Sequence, residues 1–105
     1  MLWGFINMTI NTSVDGSAMK LEIAGRLDTI TAPELEAELS EHEDVTDVTF
    51  DFSALEYISS AGLRVLLAEQ KAINSKSGKM VLKNVNDTIM EVFEITGFID
   101  ILTIE

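Results

Sequence analysis

Apolar and polar residues alternate with period two from Met8 through Val14, and again where Met19, Leu21 and Ile23 interleave with Lys20 and Glu22. That period puts successive side chains on opposite faces of the backbone, so each run predicts a half-buried β-strand. Asp15-Gly16 between them is a tight-turn dipeptide and predicts an antiparallel hairpin. The rhythm then changes. Thr31-Ala32-Pro33-Glu34 combines a cap residue, an early proline and a glutamate at the third helical position, and Leu35 and Leu39 follow on one face. Val48, Phe50 and Phe52 return to period two and predict a third strand. Past Ser59 and Ser60, the spacing of Leu63, Leu66, Leu67 and Ile73 predicts an amphipathic helix capped by one of the two serines.

Lys79–Lys83 reads as a short buried strand after Gly78. Asn86 or Asp87 begins a third helix with Ile89, Val92 and Phe93 on its apolar face. Gly97 closes that helix in the left-handed conformation, and Phe98 folds back near Phe93. Ile99, Ile101 and Ile104 predict a final edge strand. A hairpin followed by strand–helix repeats predicts an α/β domain, with helices packed on a mixed β-sheet of about four to five strands. Right-handed crossovers would set the helix starts along one rim, making neighbours of the Asp28 loop and Ser60.

At 105 residues the chain is expected to form one domain, with residues 1–7 as an apolar N-terminal extension. Trp3, Phe5 and Ile6 either lengthen the first strand, cover the core, or present a patch for dimerisation. There is no cysteine, so disulfides and thiolate metal sites are excluded. No apolar run approaches the roughly 20 residues that cross a bilayer, so no membrane insertion is expected. No Lys or Arg precedes Lys20, unlike the charged start of a signal peptide. The expected compartment is the cytoplasm.

The net charge of −11 is uneven. Residues 1–60 hold 12 acids against Lys20 and Arg26, a net −10, while residues 61–105 hold 6 acids against 5 bases, a net −1. So acidic a protein repels phosphate backbones, and direct nucleic-acid binding is not expected. The acids from Glu34 to Asp44 read as a solvated helix face and its exit. Catalytic patterns are weak. The one histidine, His42, sits among Glu41, Glu43 and Asp44, with a whole strand between it and the serines. No Gly-x-Ser-x-Gly elbow, glycine-rich phosphate loop or metal-ligand spacing is present, so neither an enzyme nor a cofactor is expected.

The chemistry lies at the serines. Tyr57-Ile58-Ser59-Ser60-Ala61-Gly62-Leu63-Arg64 places two hydroxyls at a helix N-terminus, where unpaired N–H groups and the helix dipole favour an anion. From Asp51 to Leu63 the chain resembles the signature of the STAS domain, the fold of bacterial anti-sigma-factor antagonists. In that family a strand ends in Asp-x-Ser, here Asp51-Phe52-Ser53, a short apolar turn follows, and then comes Asp-Ser-(Ser/Thr)-Gly-Leu. An earlier Gly-x-Leu-Asp is matched by Gly25-Arg26-Leu27-Asp28. The likeness runs from about Met8 to Ile104. Two positions depart from it: Ser59 stands where the family has an acid, and Ala61 follows Ser60.

The resemblance implies a phosphorylation-gated partner switch. Ser60 matches the family's phosphorylated serine, and Asp28 its acidic neighbour, which would assist kinase recognition or phosphotransfer. Ser59 would supply the cap or an interface hydrogen bond, Gly62 would admit a partner backbone, and Arg64 would be an exposed interface contact. The implied partners are an anti-sigma factor with GHKL-type serine kinase activity and a PP2C-type phosphatase that restores the unmodified form. A rival reading is a non-switching accessory subunit of a membrane lipid-transport ATPase complex. Ser60 and Asp28 favour the switch, while the loss of the acid at Ser59 favours the rival.

Overall fold

The computed structural model describes residues 7–105. Trp3, Phe5 and Ile6, and the roles expected of them, lie outside the described residues. The two alternating runs form β1 (Met8–Asp15) and β2 (Ala18–Leu27), paired antiparallel across Gly16, whose φ of +63° glycine adopts without a Cβ clash. The chain continues through α1 (Ala32–Ser40), β3 (Asp47–Ile58), α2 (Ser60–Ser75), β4 (Lys79–Lys83) and α3 (Asp87–Thr96). The sheet order is β1-β2-β3-β4, with β3 parallel to β2 and β4 parallel to β3. Each parallel pairing is joined by a helix, as a crossover requires. The expected mixed sheet with helices packed against it is therefore present, with four strands.

Its two layers follow from the alternation. Leu21 and Ile23 of β2, Phe50 and Phe52 of β3 and Leu82 of β4 enter one buried cluster with Leu35, Leu66, Ile73, Ile89 and Phe93 of the helices. On the other sheet face Lys20, Glu22, Thr49, Asp51 and Lys83 are exposed or half-exposed. On α2, Leu63, Leu66 and Ile73 are buried as their spacing predicts, and Leu67 is half-buried.

Two expectations are corrected. β3 does not end at Ser53 in a turn but runs on to Ile58. Its register against β2 shifts between Glu22 and Ala24 and again between Gly25 and Arg26, and at each shift β3 carries one residue more. These bulges break period two yet keep Leu55 and Ile58 on the buried side. The second correction concerns the C-terminus, where Ile99 and Ile101 form no strand. Gly97, at φ +82°, turns the chain into a 3-10 turn over Phe98–Asp100 that packs Phe98 against the core and leaves both isoleucines exposed. Only Ile104 reaches the sheet, through a single parallel bridge to Leu82.

Gly25 fixes the start of β1. Its φ is +94°, and the Asn7 carbonyl occupies the place a Cβ would take. Arg26 N–H donates to that same carbonyl at 2.6 Å. The first strand is thereby held against the end of β2, where the candidate site begins.

Candidate functional site

The ends of β2 and β3 lie side by side, with Arg26 opposite Tyr57 and Leu27 opposite Ile58. Asp28 and Ser59 therefore leave the sheet at one rim, as the crossover argument expects. Ser59 N–H donates to Leu27 O at 2.9 Å and ties the two exits together. Of the two serines, Ser59 is the cap: its backbone is extended (φ −100°, ψ 176°) and its Oγ accepts from Gly62 N–H at 3.4 Å. That bond is long for an N–H donor, so the cap is a weak one. Ser60 becomes the first helical residue of α2 and is exposed. Among the described residues no hydrogen bond engages its hydroxyl.

Gly62 faces inward. A Cβ there would lie 2.7 Å from Leu27 Cγ, 2.9 Å from Ile58 Cγ1 and 3.0 Å from Leu27 O. The close approach it permits is thus internal, between the first turn of α2 and the end of β2. Arg64 lies one turn beyond Ser60, exposed, beside a cavity of about 410 Å³ that Thr29, Pro33 and Ala61 also line.

Asp28 is held by the backbone of its own loop. Its Oδ1 accepts from the N–H groups of Ile30 and Thr31, both at 3.0 Å, and Oδ2 lies 3.6 Å from Arg26 Nε. Thr31 closes the loop from the other side. Its Oγ1 accepts from Asp28 N–H at 2.8 Å, donates to Arg26 O at 2.7 Å, and lies 3.2 Å from Asp28 Oδ1. The Thr31 N–H, then those of Ile30 and the Thr31 hydroxyl, with the Arg26 charge, hold the Asp28 carboxyl below the usual carboxylate range against a smaller opposing effect of desolvation. Asp28 stays ionised and shapes the loop. The expected threonine cap on α1 is accordingly absent: Thr31 has helical backbone angles and makes no side-chain cap bond, because its hydroxyl is committed to Arg26 and Asp28.

Three residues of this rim went unmarked by the sequence. Arg26 lies over the Tyr57 ring, 4.2 Å from its centroid, a cation–π contact that also lines the guanidinium up with Asp28. Ile30 projects from the loop 73% exposed, and Tyr57 is 40% exposed. The signal for Ile30 was an isolated apolar residue between Thr29 and Thr31. Arg26 and Tyr57 become partners only through the two bulges, which no local pattern shows.

The acidic half of the chain gathers elsewhere. A groove of about 390 Å³ between α1 and α2 is lined by Glu36, Leu39, Glu43, Ala72, Glu69 and Lys76, among others. Burial raises the Glu69 carboxyl above its ordinary value, the Lys76 charge partly offsets this, and Glu43 adds to it. The folded state thus holds the Glu69 proton more tightly than the unfolded chain. Stability from this group rises as pH falls through the folded pKa toward the unfolded value of about 4.3. Glu69→Gln is expected to raise the Tm at pH 7, with the gain vanishing below about pH 4. Thermal unfolding followed by circular dichroism at both pH values checks this; an equal gain at each would refute it.

His42 sits past the end of α1, with Nε2 3.7 Å from Glu38 Oε2, at the opposite end of β3 from Ser60. The two are not brought together. Among the described residues no group of three or more His, Asp or Glu could hold a metal ion, and no helix is long and apolar enough to cross a membrane.

A STAS domain model matches residues 8–105. BtrV of Bordetella bronchiseptica, provisionally named an anti-sigma factor antagonist, is 39% identical over 84 residues, covering 78% of this chain and 72% of its own. The anti-sigma-B factor antagonist of Staphylococcus aureus is 29% identical over 99 residues, 92% of each chain. The fold is similar to that of SpoIIAA, the Bacillus anti-sigma factor antagonist, in its unphosphorylated form (TM-score 0.75, 19% identity, 92% of this chain and 87% of that one). It is equally similar to the phosphorylated form (TM-score 0.74, 20% identity, 92% and 91%).

Proposed function

This chain belongs to the STAS domain family, and on that premise we propose that it acts as an anti-sigma-factor antagonist switched by phosphorylation of Ser60. Unmodified, it binds an anti-sigma factor that is also a GHKL-type serine kinase, and so frees a sigma factor. The names of its relatives support the antagonist role, and the phosphorylated form of SpoIIAA supports a phosphate-bearing state in a fold of this kind. The observation that carries the reading is the exposed, unengaged hydroxyl of Ser60 on the first residue of α2.

In the phosphorylation step, Ser60 Oγ attacks the γ-phosphorus of kinase-bound ATP, the bond to the bridging oxygen breaks, and ADP leaves. The hydroxyl proton passes to a base or to solvent. A PP2C-type phosphatase reverses the modification by adding water across the phosphoester. Ser59 holds the helix start, Gly62 lets α2 seat against Leu27, and Asp28 fixes the loop beside the hydroxyl. Ile30, Tyr57 and Arg64 supply the exposed surface around it.

Affinity capture from native extract, comparing wild type with Ser60→Asp and identifying what is recovered by mass, tests this reading. Recovery of a GHKL-type kinase by wild type and its loss in the variant is the expected result, together with phosphate on Ser60. Equal recovery of a transporter ATPase by both forms would overturn it in favour of the accessory-subunit reading.

A further inference from the structure

We propose that this chain carries its own clamp for the phosphate on Ser60, and that the clamp is Arg64. The inference rests on Ser60 being the phosphorylated residue and adds what happens to the phosphate afterwards. Residues four apart on a helix are surface neighbours, with Cβ atoms about 5–6 Å from each other. Ser60 and Arg64 stand in that relation on α2, and both are exposed. The polarity is the favourable one, with the anion N-terminal to the cation.

The surroundings leave Arg64 available. Among the described residues its guanidinium enters no ion pair, while the other cation of the rim, Arg26, is held between Asp28 and the Tyr57 ring. The N–H groups of Ser60 and Ala61, which precede the first intrahelical bond, donate to nothing among the described residues. Space is present too. The cavity of about 410 Å³ is lined by Ala61 and Arg64 on one side and Thr29 and Pro33 on the other. Ser60 itself lies beside this cavity and not in its lining. A phosphate on it at the start of α2 would lie near the open N–H donors and the dipole of α2, within reach of a forked guanidinium that matches its oxygens. The other charged groups nearby are Asp28 and Arg26 from the β2–α1 loop, already paired with each other, and Glu36 of α1, which lines the same cavity. Glu36 is the competitor for Arg64.

The consequence reaches the partner. Arg64 is one of the exposed residues that would meet the anti-sigma factor, and a phosphate that captures it withdraws a contact as well as adding negative charge. Phosphorylation then both repels and disarms, and it tightens the first turn of α2.

The test needs no partner and no kinase. Phosphoserine is installed at position 60 by encoded incorporation, and the second proton dissociation of the phosphate is followed by 31P NMR alongside the Tm. Three chains are compared: the parent, Arg64→Gln, and Lys71→Gln as a control for losing one positive charge at a distant exposed site of α2. In Arg64→Gln the proton-dissociation constant should fall about threefold relative to the parent. The Tm gained on phosphorylation, about 4 °C in the parent, should shrink by about half. Lys71→Gln should leave both values near the parent's. Equal effects from the two substitutions, or no effect of Arg64→Gln, would overturn the clamp. Because the phosphate is installed without the kinase, failure here is distinct from failure of the switch, which would show as unchanged partner capture by Ser60→Asp.

Discussion

The domain carrying phosphate on Ser60 is expected to bind its anti-sigma partner about 100-fold more weakly than the unmodified domain, a loss of roughly 3 kcal/mol. The modification adds about −1.5 to −2 charges at neutral pH to a surface fitted around a neutral hydroxyl. Removing those charges from water at an interface costs more than any contact the hydroxyl itself contributes. The phosphate need not unfold the domain, because it lies at the positive end of α2, where an anion is favoured. Calorimetric titration of the captured kinase with each form reads the effect. Ser60→Ala should bind within a few fold of wild type, since the hydroxyl makes no internal bond to lose. If instead the phosphorylated form bound as tightly as the unmodified one, the switch would be sunk.

The second large effect lies in the core. Phe93→Ala is expected to destabilise the domain by about 3–5 kcal/mol, lowering the Tm by about 15–25 °C. Phe93 is fully buried and, with Ile89, seats α3 in the cluster that Phe50 and Phe52 anchor. The start of α3 is pinned to the sheet by Asn86, whose Nδ2 donates to Leu55 O at 2.8 Å while its Oδ1 accepts from Ile89 N–H at 2.9 Å. The helix cannot slide to fill the void. Ile95 on the same helix is 78% exposed, and Ile95→Ala should change stability by no more than about 0.5 kcal/mol. Differential scanning calorimetry on the pair separates the two positions. Comparable losses would mean that α3 does not present this face to the sheet.

Much of this architecture could be read before any coordinates, where one physical signal acted alone. The hairpin was legible because Asp15-Gly16 sits between two alternating runs, the first interrupted only at Thr12. The end of α3 was legible because a left-handed residue after an apolar face calls for glycine. Legibility failed where tertiary pairing overrode a local pattern. Leu55 and Ile58 are three apart, so they fit no strand period, and only the bulges against β2 restore them to the core. Thr31 has the spacing of a cap, yet its hydroxyl serves a loop carboxylate and a strand carbonyl instead. Ile99 and Ile101 alternate as a strand would, but Gly97 and Phe98 had already turned the chain away from the sheet edge. At the site, the serines and Asp28 were visible as residue types, and the resemblance supplied their roles. The Arg26–Tyr57 contact was not visible, because it exists only once β2 and β3 are in register.

That register also sets the order in which the molecule can assemble. The β1–β2 hairpin closes a two-residue turn, an event on the scale of about 1–10 μs. Pairing β2 with β3 has to close the longer connection that contains α1, and such non-local contacts are expected to form after local ones because loop closure has to be overcome first. The bond from Ser59 N–H to Leu27 O spans the ends of those two strands and requires that pairing. Ser60 is therefore displayed by a completed crossover and is not carried by a linear stretch of chain. Under the proposed switch, a kinase reading this rim would read the finished fold, and a nascent or unfolded copy would offer it the same residues without the shape.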